Sequence, residues 1–370
     1  MGYLDHRPVR SAATSLILGV FRRKLGHVPS TLAERIGRLC RADHSAKRLR
    51  ELVLVEIRAT IPFAGHVFAL TDPVTAVATA PLADVPGLDF GLLPDLIRAR
   101  YLTPLNRWDT VRGTGAHSLL GATDGDPNRS PLWRTAQRDL GVTDSATITF
   151  ADRYGCWGFL ELLRCTESPF TTAELDTLTT LTSTVTVGLR RTVGATFVES
   201  DARLPPLGPA VVLLDNALRV RSQTAAAADS LLRLLPPDEP IPPVPASVYN
   251  AAAALLAIEA DTPLGPATSR VHLGGNRWLT VKADRIGTDI AVALEPSTAT
   301  ERLDLFARAH GLSTRESQVL TLLATGLDSH ELATELFLSE HTVNDHVKAI
   351  LAKSDTRTRQ RLLSRVLGVG

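Results

Sequence analysis

The sequence predicts a multidomain protein in which α+β units occupy most of the chain and an all-α helix-turn-helix unit closes it. Three observations carry that expectation. A chain of 370 residues with 44% apolar side chains exceeds one ordinary core and suffices for two or three domains of roughly 100 to 150 residues. Up to about residue 297, strand-like runs alternate with helix-period runs. From Leu312 onward only short, capped helical runs remain.

Thr31 to Ile61 has helical spacing, with Leu32, Ile36 and Leu39 on one stripe and Leu49, Val53 and Ile57 on another. Ala64 to Thr71 reads as a strand, Asp72 and Pro73 as a turn, and Val74 to Thr79 as the returning strand. Helices are expected at Pro94 to Leu102 and Pro131 to Asp139, on either side of a loop at Gly121 to Asn128. Ser145 to Ala151 and Cys156 to Arg164 form a second hairpin. Thr171-x-x-Glu174 is a capping box that opens a long helix through Leu175, Leu178, Leu181, Val185 and Leu189.

Asp201 to Gly208, with Pro205 and Pro206, reads as a linker into a new unit. There, Ala210 to Asp215 and Leu218 to Ser222 are strands, Ala225 to Leu235 is helical, and Pro236 to Pro245 is an extended loop. Val271 to Leu273 and Arg277 to Lys282 flank Gly274, Gly275 and Asn276 as a hairpin. Asp289 to Leu294 is the last strand before a linker at Pro296 to Thr300. No internal repeat stands out.

Lys and Arg number 40 against 39 Asp and Glu, a formal +1, so any nucleic-acid role must rest on a local patch. Cys40, Cys156 and Cys165 contain no C-x-x-C pair, which suits reduced thiols. The apolar stretch Leu16 to Phe21 is too short to span a bilayer. A soluble, cytoplasmic protein is expected.

The terminal unit is the most informative. Ser313-x-x-Glu316 is a capping box, Val319, Leu320, Leu322 and Leu323 make the buried side of the helix it opens, and Gly326 ends it. Asp328-x-x-Glu331 caps a second short helix with Leu332, Ala333 and Leu336 inward, and Ser339 caps a third after only Phe337 and Leu338. In that third helix Val343, Val347, Ile350 and Leu351 share one side. His341, Asn344, Asp345 and Lys348 recur at i, i+3, i+4 and i+7 on the other. Such a helix fits the DNA major groove, where Asn can pair with adenine, Lys with guanine or phosphate, and Asp with the cytosine amino group. From His346 to Arg365, Lys348, Lys353, Arg357, Arg359, Arg361 and Arg365 face Asp355 alone, a formal +5 suited to phosphates.

With its opening L-[ST]-x-R-E, central E-[LI]-A, L-S-x-x-T-V and closing R-[ST]-R, the stretch LSTRESQVLTLLATGLDSHELATELFLSEHTVNDHVKAILAKSDTRTRQRLLSRVLG resembles the LuxR/FixJ-type DNA-binding domain. The resemblance implies four helices, the third entering the major groove and the fourth, Gln360 to Leu367, mediating dimerisation on two half-sites. By position it implies that Thr342, Asn344, Asp345 and Lys348 face DNA and that Arg357 and Arg359 lie near the backbone; Ser339, His341 and Lys353 complete the expected set of DNA-binding residues. Asn344 stands where Lys is frequent, and Ser354 and Asp355 where Leu and Gly are usual. The first departure bears on base preference and the second on the turn before the last helix.

Residues 45 to 195, with CWGFLELLR followed by FTTAELDTLTTLTSTVTVGLRR, resemble a GAF domain. Residues 208 to 296, beginning GPAVVLLDNALRV, resemble a PAS-like sheet. Both folds often enclose a small-molecule cavity, for which Trp108, Trp133 and Trp157 are lining candidates, although packing residues are the commoner role for tryptophan. His66 on its strand reads as structural. His330-Glu331 starts like H-E-x-x-H, but Thr334 occupies the second ligand position. No phosphate-binding glycine loop, no G-x-S-x-G and no receiver-like pattern is found.

The expected organisation is therefore a helical extension at 1–44, a GAF-like sensor at 45–197, a PAS-like unit at 206–297 and a LuxR-type domain at 302–370. The expected function is that of a non-enzymatic, homodimeric, sequence-specific transcriptional regulator. It needs no cofactor or metal. Its partners are double-stranded DNA, a second copy and an unidentified small-molecule signal. The alternative from another class is a protein-interaction sensor that the C-terminal unit tethers to DNA.

Overall fold

The computed structural model describes residues 31–199, 208–234 and 246–368. The apolar stretch Leu16 to Phe21, most of the linker Asp201 to Gly208 and the whole Pro236 to Pro245 loop lie outside them. Two antiparallel five-stranded sheets are followed by a helical unit. No helix among the described residues is long and apolar enough to cross a membrane.

The first unit opens with α1 (Leu32–Arg41) and α2 (Ala46–Arg58). The hydroxyl of Thr31 accepts from the Glu34 amide and Glu34 reciprocates, so two orphan donors are satisfied at the head of α1. β1 (Gly65–Thr71) and β2 (Ala78–Asp84) follow. The expected strand at Val74 to Thr79 is displaced because Asp72 accepts from the amides of Val74 and Thr75 and Ala76 takes a left-handed φ of 60°, which prolongs the turn. After α3 (Leu93–Leu102), β3 (His117–Ser118) and the one-turn α4 (Leu119–Ala122), the helix expected at Pro131 to Asp139 is a wide π turn over Trp133–Gln137.

β4 (Asp144–Asp152) and β5 (Gly155–Arg164) complete a sheet ordered β2-β1-β5-β4-β3. The helix expected from the Thr171 capping box divides into α5 (Thr172–Thr180) and α6 (Thr182–Gly194). Thr177, Thr179, Thr180 and Thr182 all donate back to main-chain carbonyls, a competition that bends helices. α1, α2 and α6 cover one face of the sheet, where Ile36, Val53 and Leu189 meet Phe68, Ile148 and Leu160.

The second unit contains β6 (Ala210–Leu214), β7 (Val220–Gln223), α7 (Ala225–Leu234), α8 (Ala246–Glu259), β8 (Thr268–Gly274), β9 (Arg277–Ile286) and β10 (Asp289–Pro296). Its order, β7-β6-β10-β9-β8, repeats that of the first sheet strand for strand. The second sheet and the first unit meet in one continuous core. α8 lies between them, with Ala251 to Ala254 and Ala257 fully buried, as expected for a helix apolar on every side. Polar links reinforce the joint: Asp72 and Arg270, both buried, pair at 2.6 Å, and the Thr75 hydroxyl donates to the Thr268 carbonyl at 2.6 Å.

Candidate nucleic-acid interface

α9 (Ala299–Ala309) leads into the terminal helices α10 (Thr314–Ala324), α11 (Ser329–Leu336), α12 (Glu340–Lys353) and α13 (Arg359–Leu367). Each begins with a side-chain cap, from Ser313, Asp328, Ser339 and Thr358 for the last four. Capping boxes are complete at Glu316 and Glu331. Val319, Leu320, Leu323, Leu332, Val343, Val347, Ile350, Leu362 and Val366 form the core, while Leu322, Leu336 and Leu351 are half-buried.

The opposite side of α12 is open. His341 is 84% exposed, Lys348 72% and Asp345 54%. Lys348 donates to Asp345 at 3.1 Å, which holds the Asp345 carboxyl below its ordinary pKa, and His341 lies 3.4 Å from the same carboxylate. Ser339 both caps the helix and bonds Thr342, 2.8 Å between hydroxyls. This face thus offers an imidazole, a carboxylate and an ammonium on successive turns.

Asn344 is less free than its spacing implied. Its Oδ1 accepts from Arg359 Nη2 at 2.8 Å and from the Ser329 hydroxyl at 3.1 Å, and Arg359 also donates to Ser329. Because guanidinium only donates, these bonds fix the amide with its NH2 group outward. Asn344 presents a donor alone, whereas bidentate pairing with adenine would require Oδ1 to leave Arg359. Arg359, expected near the DNA backbone, instead ties α13 to α11 and α12.

Lys353 is also committed elsewhere. It pairs with Glu316 at 2.7 Å and joins the end of α12 to the start of α10. Burial raises the Glu316 carboxyl, but Lys353 and the Ser313 amide outweigh it and its pKa ends below the ordinary value. Arg361 and Arg365 lie 3.7 and 3.9 Å from Glu199, a residue from outside the helical unit. Of the six basic residues counted in the +5 stretch, only Arg357 is exposed with no hydrogen-bond or ion-pair partner among the described residues. The patch is therefore weaker than its formal charge.

Sequence reading did not single out Phe337. It ends α11 at a left-handed φ of 54° and is 94% exposed, beside the amino end of α12. Ser329 and Glu199 were missed because their partners, Asn344 and the α13 arginines, are distant in sequence.

The helical unit is also seated on the rest of the chain. Arg302 of α9 is buried and donates to the carbonyls of Val366 (2.7 Å), Asn276 (3.0 Å) and Arg365 (3.2 Å) and to Asn276 Oδ1 (2.7 Å). With no carboxylate partner, burial lowers its pKa to about 10. The carbonyl end of α13 supplies the compensating partial negative charge. Gly368 ends that helix at φ 72°, and a Cβ there would come within 2.8 Å of the Arg302 guanidinium. Phe197 stacks on Trp278 and meets Phe306 edge-on.

Residues 310–366 match the family model for bacterial regulatory proteins of the luxR family. The C-terminal unit is a LuxR-type helix-turn-helix domain. The chain is similar to the transcriptional regulatory protein DesR of Bacillus subtilis (strain 168), 36% identical over 62 residues, which are 17% of this chain and 31% of that protein. It is also similar to the probable HTH-type transcriptional regulator GfsR of Streptomyces halstedii, 35% identical over 86 residues, 20% of this chain and 35% of that one. The chain spans about a third of the length of these curated relatives, and those relatives are transcriptional regulators. A structure of SdiA in complex with octanoyl-rac-glycerol aligns over 95% of this chain and 96% of its own at 14% identity and a TM-score of 0.31, too loose a likeness to carry fold or ligand across.

The tryptophans of the first unit do not share one pocket. Trp108 is buried, donates to the Ala76 carbonyl at 2.8 Å and stacks on Phe159. Trp157 lies in the core on the opposite face of the sheet, placed there by the bulge that pairs Ala151 with Cys156 but Phe150 with Gly158. Trp133 donates to the Val142 carbonyl at 2.7 Å. Trp108 borders a cavity of about 20 Å³, together with Arg100, Gln137, Thr147 and Glu161. That is a water-sized space.

Proposed function

We propose that the protein is a sequence-specific transcriptional regulator that binds DNA as a homodimer through its LuxR-type domain and is controlled by a signal received in the preceding residues. The observation that carries the reading is the free face of α12, with His341, Asp345 and Lys348 outward and Asn344 held through its Oδ1 by Ser329 and Arg359. A rigid, exposed helix of this kind is what major-groove reading requires. Ser339, Thr342 and Arg357 are assigned to phosphate and groove-edge contacts, and α13 to pairing of two copies.

The proposed division is 1–44 as an extension, 45–197 as a GAF-like sensor, 206–297 as a PAS-like unit and 302–370 as the reader. Support for sensing lies in the buried polar face of the first sheet. Ser145, Thr147, Thr149 and Glu161 are buried there beneath α3 and the segment that follows it. Arg100 and Gln137 reach Glu161. Signal and DNA would be coupled if the signal binds one seating of the reader better than another, and Arg302 and Asn276 are contacts that such a change would break.

Selection of bound fragments from a random DNA library by the full chain, at about 0.15 M salt, tests the proposal. Enrichment of a two-part site is the expected result. A library that stays unenriched, with partner proteins retained instead, would favour the tethered interaction sensor.

A further inference from the structure

An open cleft of about 490 Å³ lies where the first unit meets the connector helix α9. It is lined by Pro73, Val74, Arg112, Gly113, Ala151, Asp152, Arg153, Gly155 and Arg308. Its size is within the range of small-molecule sites, but its lining is cationic where such sites are usually apolar. Three guanidinium groups face one carboxylate. That carboxylate is already engaged: Asp152 Oδ1 accepts from the Tyr154 amide and the Trp157 indole, and Oδ2 lies 3.5 Å from Arg190. Asp304, the acid nearest Arg308, pairs with Arg270 and Arg308 together. Arg112 is exposed on a loop and has no hydrogen-bond or ion-pair partner among the described residues. The cleft therefore keeps an uncompensated positive charge.

We propose that this cleft binds a small phosphate-bearing anion, held by Arg112, Arg153 and Arg308. Guanidinium forks suit the paired oxygens of phosphate, and an anion finds here positive charge that the neighbouring acids, engaged elsewhere, leave unpaired. The cleft is larger than one inorganic phosphate needs, so a phosphorylated metabolite fills it better than the free ion.

The position of the site gives binding a consequence. Arg308 donates to the Tyr154 carbonyl at 2.9 Å, and Tyr154 donates its hydroxyl to the Gly311 carbonyl at 3.1 Å. Arg153 and Arg190 both lie against the Tyr154 ring, at 4.7 and 4.6 Å. Gly311, at φ 64°, is the turn between α9 and the reader. Arg308 also ends an ionic chain that runs from Asp72 through Arg270 and Asp304. An anion on Arg153 and Arg308 thus pulls on the turn that sets the reader's seating. This consequence rests on the regulator reading, whereas binding itself does not.

Calorimetric titration of the full chain with pyrophosphate, with inorganic phosphate in parallel, tests the site. One pyrophosphate per chain is expected, bound more tightly than phosphate. Arg112→Gln, which removes no internal partner, should weaken it about tenfold, as the loss of one charge-assisted contact does. Arg153→Gln is a second probe, and Lys348→Ala, on the DNA-reading face, should bind like the wild type. The proposal is overturned if pyrophosphate does not bind, if Arg112→Gln and Arg153→Gln both leave it unchanged, or if Lys348→Ala abolishes it. Loss of DNA binding in Lys348→Ala with pyrophosphate binding intact would separate failure of the regulator reading from failure of the site.

Discussion

The two sheets have the same strand order but opposite interiors. In the first, Ser145, Thr147, Thr149 and Glu161 are buried on one face beneath α3 and the segment after it. In the second, the corresponding space is filled by α8 against Val271, Leu279, Val281 and Val292. A buried polar face is costly unless its groups find partners: here Arg100 and Gln137 hold Glu161, the Trp108 carbonyl holds Thr149, and Ser145 and Thr147 border the water-sized cavity. The filling of the second is mainly alanine and other apolar side chains, with Ser247 and Asn250 of α8 as its few buried polar ones, so little such arrangement is needed. The difference teaches that one strand order can enclose a hydrogen-bonded polar interior in one sheet and a packed apolar helix in the other.

Five perturbations would break or sharpen that contrast, beginning with the joint between the sheets. Asp72→Ala leaves Arg270 buried with only Asp304, itself part-exposed, and should destabilise the chain by about 3–5 kcal/mol in denaturant unfolding. Within the first sheet, Glu161→Ala strands Arg100 and Gln137 and should cost about 3 kcal/mol. In the second, Val292→Ala removes apolar contact alone and should cost about 2 kcal/mol. Equal costs for these two would erase the distinction.

A pH scan probes the seam between the sheet units and the reader. His310 ends α9 against Phe306 and Gly194, with Arg190 and Arg365 nearby. Burial, with help from those arginines, lowers its pKa to about 4. The folded protein resists a proton that the unfolded chain accepts near pH 6.5. Stability is then complete above about pH 6.5 and falls toward pH 4 by up to about 3 kcal/mol. His310→Gln should flatten that part of the profile, and an unchanged profile would remove His310 from the account. The smallest effect is expected in the reader, where Ser339→Ala loses the cap of α12 for about 1 kcal/mol.

The helical unit was legible because its signals are local. Ser313 with Glu316, Asp328 with Glu331, and Ser339 each act within one turn, and the resulting helices follow from spacing alone. The sheet units were legible as strands but not as interiors. The alternation Ser145, Ala146, Thr147, Ile148, Thr149 reads as one wet and one dry face, yet the polar face is buried by residues far along the chain. α8 escaped detection because Ala251 to Ala254 are apolar all round, without the stripe that marks a surface helix. At the candidate site, local spacing gave the correct outward face of α12 but overcounted charge. Glu316 and Glu199, distant in sequence, pair with Lys353, Arg361 and Arg365 and offset part of their charge, and Arg359 is tied to Asn344.

The salt dependence of binding to a selected DNA fragment, measured for the wild type, Lys348→Ala and Asn344→Asp, tests major-groove reading most directly. Asn344→Asp keeps the acceptor for Arg359 and removes the outward NH2 donor. The account predicts that Lys348→Ala weakens all sequences alike and lowers the salt slope by about 1, while Asn344→Asp relaxes preference at one base position. Binding of identical strength, slope and sequence preference by all three proteins would contradict it.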